Sequence, residues 1–192
     1  MPNQAWLASR WVAAAGFMAA ALLATVPLLE SAFALPLVLI FLASPVYMIH
    51  QVEEHTGDRF RTFVNQRVFG GRDALSTAGV LVINLPVVWG LNLAALYAAF
   101  AWGFGYGLVS AYAMLVNAIV HIGGAARFRA YDPGLVTSVV LFLPLSLATI
   151  LTVDASLGFH LVALFLAILL HALIIVAVLS RVRHSGPAPA RT

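Results

Sequence analysis

His50, Glu53, Glu54 and His55 fall within six residues, in a chain that is 62% hydrophobic and 9% charged. Ionisable groups at membrane depth are costly and as a rule pair with one another or mark a functional site. His50 and Glu54 are one helical turn apart and share a face, with Glu53 beside them. This is the spacing with which a helix presents metal ligands or an acid–base pair. Two adjacent carboxylates argue against a purely structural hydrogen-bonded pair, because a second buried anion needs a cation or a proton to offset it. A second pair, Asn117 and His121, repeats the one-turn spacing further along. Two histidines and a carboxylate without sulfur suit a divalent metal such as zinc, iron or manganese.

The elements that must carry these residues are read from hydropathy. Apolar runs at 11–29, 35–55, 74–102, 106–123, 134–153 and 157–180 each approach the ~20 residues a helix needs to cross a bilayer. The expected fold is an all-α polytopic membrane bundle of about six transmembrane helices, one domain over 1–184, followed by a disordered tail at 185–192. The first run is read as a retained span, since no small-residue cleavage site follows it. Pro27, Pro45, Pro86 and Pro144 fall inside spans, where lipid-embedded helices tolerate kinks. The third run is long enough to be tilted or broken. The chain has no cysteine and no lysine, which excludes disulfides, iron–sulfur clusters, Schiff-base chemistry and the P-loop. The Gly103–Gly107 string lacks the strand–helix context of a nucleotide loop and reads as a turn.

All ten basic residues are arginines. Arg10 precedes the first run. Arg59, Arg61, Arg67 and Arg72 lie between the second and third, Arg127 and Arg129 between the fourth and fifth, and Arg181, Arg183 and Arg191 after the sixth. With six spans every arginine falls on one side, which the positive-inside rule makes the cytoplasm, with both termini there. The arginines are topology signals, so no nucleic-acid partner is expected. Within 56–73, Phe60, Phe63, Val64, Val68 and Phe69 alternate with arginines as in a connector or an amphipathic stretch on the inner membrane face.

This orientation converts the polar residues into a depth map. His50, Glu53, Glu54 and His55 approach the cytoplasmic end of the second span, and Asn117 and His121 the same end of the fourth. His171 and Asn84 lie deeper but in the same half. His160 starts the sixth span at the opposite face, and His184 sits in the basic tail. The expected metal ligands are therefore His50, Glu54 and His121, with His55 and His171 as further candidates. The expected catalytic groups are Glu53, Glu54 and Asn117.

On these residues the chain resembles the HXXEE family of bacterial membrane proteins, through His50-Gln51-Val52-Glu53-Glu54, Asn117-Ala118-Ile119-Val120-His121 and the Tyr131-Asp132-Pro133-Gly134 turn. His171 best matches a further family histidine, with His55 and His160 as competitors. The likeness runs from about residue 35 to 175. It implies a multi-pass protein of the bacterial inner membrane with an enzymatic role and no assigned reaction. The motif also partly resembles the inverted zinc-protease pattern H-x-x-E-H, but Glu54 stands where that pattern has its second histidine.

The leading expectation is a membrane-embedded metalloenzyme, hydrolase or non-haem oxidase, acting on a hydrophobic or lipid-like molecule reached from the bilayer. His50, His121 and one glutamate would hold the metal. The other glutamate would serve as general base toward water or bridge a second metal, and Asn117 would orient a ligand. A proton-coupled transporter is the alternative, followed by a haem-binding or structural subunit. No inverted repeat is evident and the cluster sits off the midplane, both of which weigh against a carrier. The separation of the His50 and His121 rings is the distance on which these readings divide.

Overall fold

The computed structural model describes the backbone of residues 2–184 and the side chains of residues 10–183. The tail expected at 185–192, with Arg191, and the His184 side chain lie outside the described residues. Among the described residues every regular element is helical.

Helices α1 (Pro2–Ala24) and α2 (Val26–Ala32) make one apolar stretch bent by 40°. Pro27 sits in the first turn of α2, where its missing N–H and its ring break continuity with the preceding turn. The Thr25 hydroxyl donates to the Leu22 carbonyl at 2.6 Å beside the break. Helix α3 (Leu35–His55) follows. A short helix α4 (Arg59–Phe63) runs into a π-helical turn at Val64–Val68. The third long stretch is α5 (Thr77–Val82), a π-helical turn Ile83–Trp89 containing Pro86, and α6 (Gly90–Trp102). Its start is capped by Ser76, whose hydroxyl accepts from the Gly79 N–H at 3.1 Å. Helix α7 (Leu108–Phe128) comes next. Then α8 (Leu135–Thr137) leads through a π-helical turn, Ser138–Phe142, into α9 (Leu143–Thr152). Helix α10 (Leu157–His184) ends the described chain.

Five of these stretches are long and apolar enough to cross a membrane, or six if the bent α1–α2 pair is one span. The third span, expected to be tilted or broken, runs as one continuous helix over Thr77–Trp102, with a π-helical turn around Pro86 where a proline cannot continue the regular ladder.

Helix α3 is the axis of the bundle and packs on α1, α6, α7 and α9. Leu37 and Ile40 join Leu108 and Val153 at one end. Ala43 and Tyr47 meet Met114, Ala118 and Phe142 in the middle, and Met48 meets Ala15 and Ala19 of α1. The alanines let the helix backbones approach closely, as lipid-embedded packing favours. Because α3 is surrounded, polar residues near its C-terminal end are buried between helices.

The 56–73 stretch is more than a connector. After His55 the backbone turns through left-handed Gly57 (φ 65°) and Asp58 (φ 60°). This returns α4 over the end of the bundle, where the Phe60 ring lies 5.9 Å from His55 and 5.6 Å from His121. The apolar residues of the stretch line an internal cavity. Asn65 anchors it, donating to the Leu75 carbonyl at 2.9 Å and accepting from the Leu75 N–H at 2.8 Å.

Candidate metal centre between α3, α7 and the 131–137 turn

The last turns of α3 touch a different neighbour with almost every residue. Gln51 is fully buried. It donates to the Asn84 side chain at 3.0 Å and accepts from the Trp89 indole at 2.9 Å, tying α3 to the π-helical turn of the third span. Val52 lies over Gly16 of α1. His55 packs its ring 5.0 Å from Trp11. His50 and Glu54 face α7 and the turn before α8.

His50, 1% exposed, places Nδ1 2.8 Å from the Thr137 hydroxyl. That hydroxyl has one proton, and its other neighbours, Glu53 Oε2 at 2.5 Å and the Gly134 carbonyl at 3.2 Å, are both acceptors. The proton between His50 and Thr137 must therefore come from Nδ1, which leaves the His50 Nε2 lone pair bare. His50 Nε2 is buried without a hydrogen-bond partner and lies 3.6 Å from Glu54 Oε2.

His121, 2% exposed, is fixed the same way from another direction. Its Nδ1 lies 2.8 Å from the buried carboxylate of Asp132, an acceptor, so Nδ1 carries the proton. Its Nε2 is 3.8 Å from Glu54 Oε1. The two rings sit 5.0 Å apart at 72°. His50, Glu54 and His121 can each offer one ligand atom, and these atoms all lie within 4.8 Å of one another.

The chemistry of this donor set fits a cation. Two nitrogen lone pairs and a carboxylate converge, and the nearest other side-chain nitrogen is His55 Nε2, 3.1 Å from Glu54 Oε2 on the side of the group. Two ligand bonds of about 2.0–2.1 Å meeting at tetrahedral to trigonal angles put their outer atoms roughly 3.3–3.6 Å apart. The 3.6 and 3.8 Å separations are near that spacing and too long for direct hydrogen bonds. Each histidine is also backed on its far nitrogen by an oxygen acceptor, the arrangement that orients metal-ligating imidazoles.

The turn after α7 supplies Asp132 and the short helix α8 supplies Thr137 as the two backing groups, and Glu53 holds this 131–137 segment in place. The Glu53 carboxylate accepts from the Val136 N–H at 3.1 Å, the Thr137 N–H at 2.7 Å, the Thr137 hydroxyl and the Tyr131 hydroxyl. Burial and the adjacent Glu53 carboxylate raise the Tyr131 phenol above its ordinary range, which keeps it a donor. Two glycines make the close approach possible. At Gly134 (φ 103°) an added Cβ would lie 2.7 Å from His50 Cε1 and 2.9 Å from His121 Cε1. At Gly124 it would collide with the Asp132 carboxylate.

The structure therefore brings His50, Glu54 and His121 to one point. His55 stays next to it, with Nε2 3.1 Å from Glu54 Oε2 but outside hydrogen-bond geometry. Asn117 lines the same cavity, with its Oδ1 buried and unpartnered. His171 also lines that cavity, from α10, with Nδ1 2.8 Å from the Ala167 carbonyl. Glu53 is turned away, onto the 131–137 turn. His160 is at the other end of α7, 3.0 Å from the Tyr112 hydroxyl. Asp132 and Gly134 enter the sequence reading only through the turn that resembles the family, and Thr137 has no signal of its own. The signal available was an acid and a Pro-Gly pair in an otherwise basic loop.

The cavity holds about 380 Å³ and runs between α4, α7, α10 and the third span, with the His–Glu group in its wall.

The model of a family described as proteins of unknown function with an HXXEE motif matches residues 41–149. The matched segment runs from α3 into α9 and contains His50, Glu53, Glu54, His121, Asp132, Gly134 and Thr137. It is shorter than the 35–175 expected, and both His160 and His171 lie beyond it. No curated protein and no solved structure matches the chain.

Proposed function

We propose that this chain, which belongs to the HXXEE-motif family, is a metal-dependent enzyme of the membrane whose reaction takes place at the end of the bundle where the arginines gather. By the positive-inside rule that end faces the cytoplasm. The carrying observation is the convergence of the His50 and His121 Nε2 atoms on Glu54, each ring held in its tautomer from behind.

His50, Glu54 and His121 hold the ion. Two imidazoles and one carboxylate form a donor set used by hydrolytic zinc sites and by non-haem iron sites. A divalent ion supplies Lewis acidity toward a carbonyl or a water molecule there. His55 stands beside Glu54, where it can take or return a proton. Asn117 offers an unpartnered oxygen to a substrate hydroxyl or amide. Glu53 acts as a positioning residue: it docks the turn that delivers Thr137 and Asp132 to the two histidines. A haem slung between the rings is disfavoured, because Phe142 lies 4.3 Å from the His50 ring, Phe60 5.6 Å from the His121 ring, and Gly134 sits against both.

The competing reading is a proton shared among the same acceptors, as in a proton-coupled carrier. Elemental analysis of the purified protein separates the two. The metalloenzyme reading expects bound zinc, iron or manganese that is lost from His50→Ala and His121→Ala. A monodisperse, folded protein that takes up none of the three, together with a pH-driven flux in proteoliposomes abolished by Glu54→Gln, would replace it with the carrier.

A further inference from the structure

The wall of the cavity and its missing charges narrow what can reach the site. Helix α10 packs along α7 but has no extended packing against the third span. It meets that side near Val178, which touches the Trp11, Leu75 and Val80 cluster, and through the Arg181–Asp73 ion pair at 2.6 Å. Above those contacts the space between α10 and the third span belongs to the cavity, with Ile174 and Ile175 on one side and Ile83 and Val88 on the other. Val120 and Ile175 line it and are still 46% and 51% exposed, at positions inside long apolar helices. These two lining residues thus also reach the outer, apolar surface of the bundle.

Among the described residues no arginine lines the cavity, and the carboxylates that do are Glu54 and Asp132. A divalent ion on the His–Glu group only balances these two carboxylates. A phosphate or carboxylate headgroup would enter with no cation to offset its desolvation. The other polar side chains in the wall, Asn117 and His55 with unpartnered buried atoms and His171, suit a neutral hydroxyl, ester, aldehyde or amide. The volume is at the small end of ligand pockets, roughly 300–1,000 Å³, which favours a single apolar chain.

From these observations we infer that the cavity takes an uncharged single-chain amphiphile, delivered sideways from the bilayer between α10 and the third span, with its polar end at the His50–Glu54–His121 group. This rests on the metal-centre reading for the role of that group but not for the route or the charge of the ligand.

The test uses the full chain in lipid nanodiscs and two photoreactive probes: a hexadecanol carrying a mid-chain diazirine, and its phosphate monoester. The alcohol probe is expected to label cavity-wall positions such as Ile83, Val88 and Ile174, and excess hexadecanol should compete. The phosphate ester should label the same positions about tenfold less or weaker, given the cost of an uncompensated buried charge. Ile174→Trp should reduce labelling several-fold, while Leu151→Trp, on a lipid-exposed face, should leave it unchanged. Equal labelling by the two probes, or labels confined to outward faces, overturns the inference on the wild-type chain alone. Metal content is read on the same sample. Metal present without cavity labelling removes this inference and leaves the metal centre standing. Cavity labelling in a metal-free sample does the reverse.

Discussion

The two ends of the bundle each contain a buried or half-buried histidine near an aromatic ring, and only one end has the makings of a reactive site. At the opposite end His160 meets the Tyr112 hydroxyl at 3.0 Å, and among the described residues no carboxylate or second imidazole is paired with it. That contact is a hydrogen bond between neighbouring helices of the kind that holds membrane bundles together. At the arginine-rich end His50 and His121 each give the far nitrogen to an oxygen partner and turn the near one toward the Glu54 carboxylate, with His50 Nε2 buried and without a hydrogen-bond partner. The difference lies in the second partner. A histidine whose hydrogen bonds close among themselves stabilises packing. Two histidines whose remaining lone pairs are aimed at one point need something else there.

Substitutions at the two ends should therefore behave oppositely. The largest effect is expected from His50→Ala and His121→Ala, which remove a ligand each and should abolish stoichiometric metal in the purified protein. His160→Ala should leave metal content unchanged. Metal retained in both ligand variants would erase the contrast between the ends.

Glycine substitutions make the next comparison. Gly134 (φ 103°) and Gly103 (φ 123°) both need a left-handed backbone, but only Gly134 faces an obstacle, the two histidine rings. Gly103→Ala meets no neighbour and should cost about 1–3 kcal/mol of backbone strain alone. Gly134→Ala adds a clash at the site, so it should lose metal as well as thermal stability. Metal binding that survives in Gly134→Ala at wild-type affinity would show that the 131–137 turn does not set the ring positions.

Asp132→Asn and Thr137→Val leave the ligands in place and alter only what stands behind them. Metal affinity should fall about 10–100-fold in each, the usual cost of losing an outer partner, as read by competition with a chelator. Tyr131→Phe removes one of several donors to Glu53 and should cost only about 0.5–1.5 kcal/mol in unfolding.

The sequence carried the helices and half the site because both are periodic. Apolar runs mark spans whatever packs around them, and His50 with Glu54, like Asn117 with His121, announce themselves by one-turn spacing on a single helix. Which helices face one another is not periodic, so the meeting of His50 with His121 is visible only in the fold. The role of Glu53 was hidden for a related reason. Next to Glu54 in sequence, it points about 100° around the helix and reaches the 131–137 turn. Asp132 and Thr137 flank a short turn with no helical repeat to mark them. The amphipathic pattern at 56–73 was legible, but its apolar face covers the cavity, a choice made by the left-handed turn at Gly57 and Asp58.

X-ray absorption at the metal edge of the purified, metal-containing protein tests the central claim most directly. The account predicts one ion per chain with two imidazole nitrogens and carboxylate oxygen at about 2.0–2.2 Å, and loss of one imidazole contribution in His121→Ala. A bound metal whose spectrum contains no imidazole, or one unchanged by His50→Ala and His121→Ala, would contradict it.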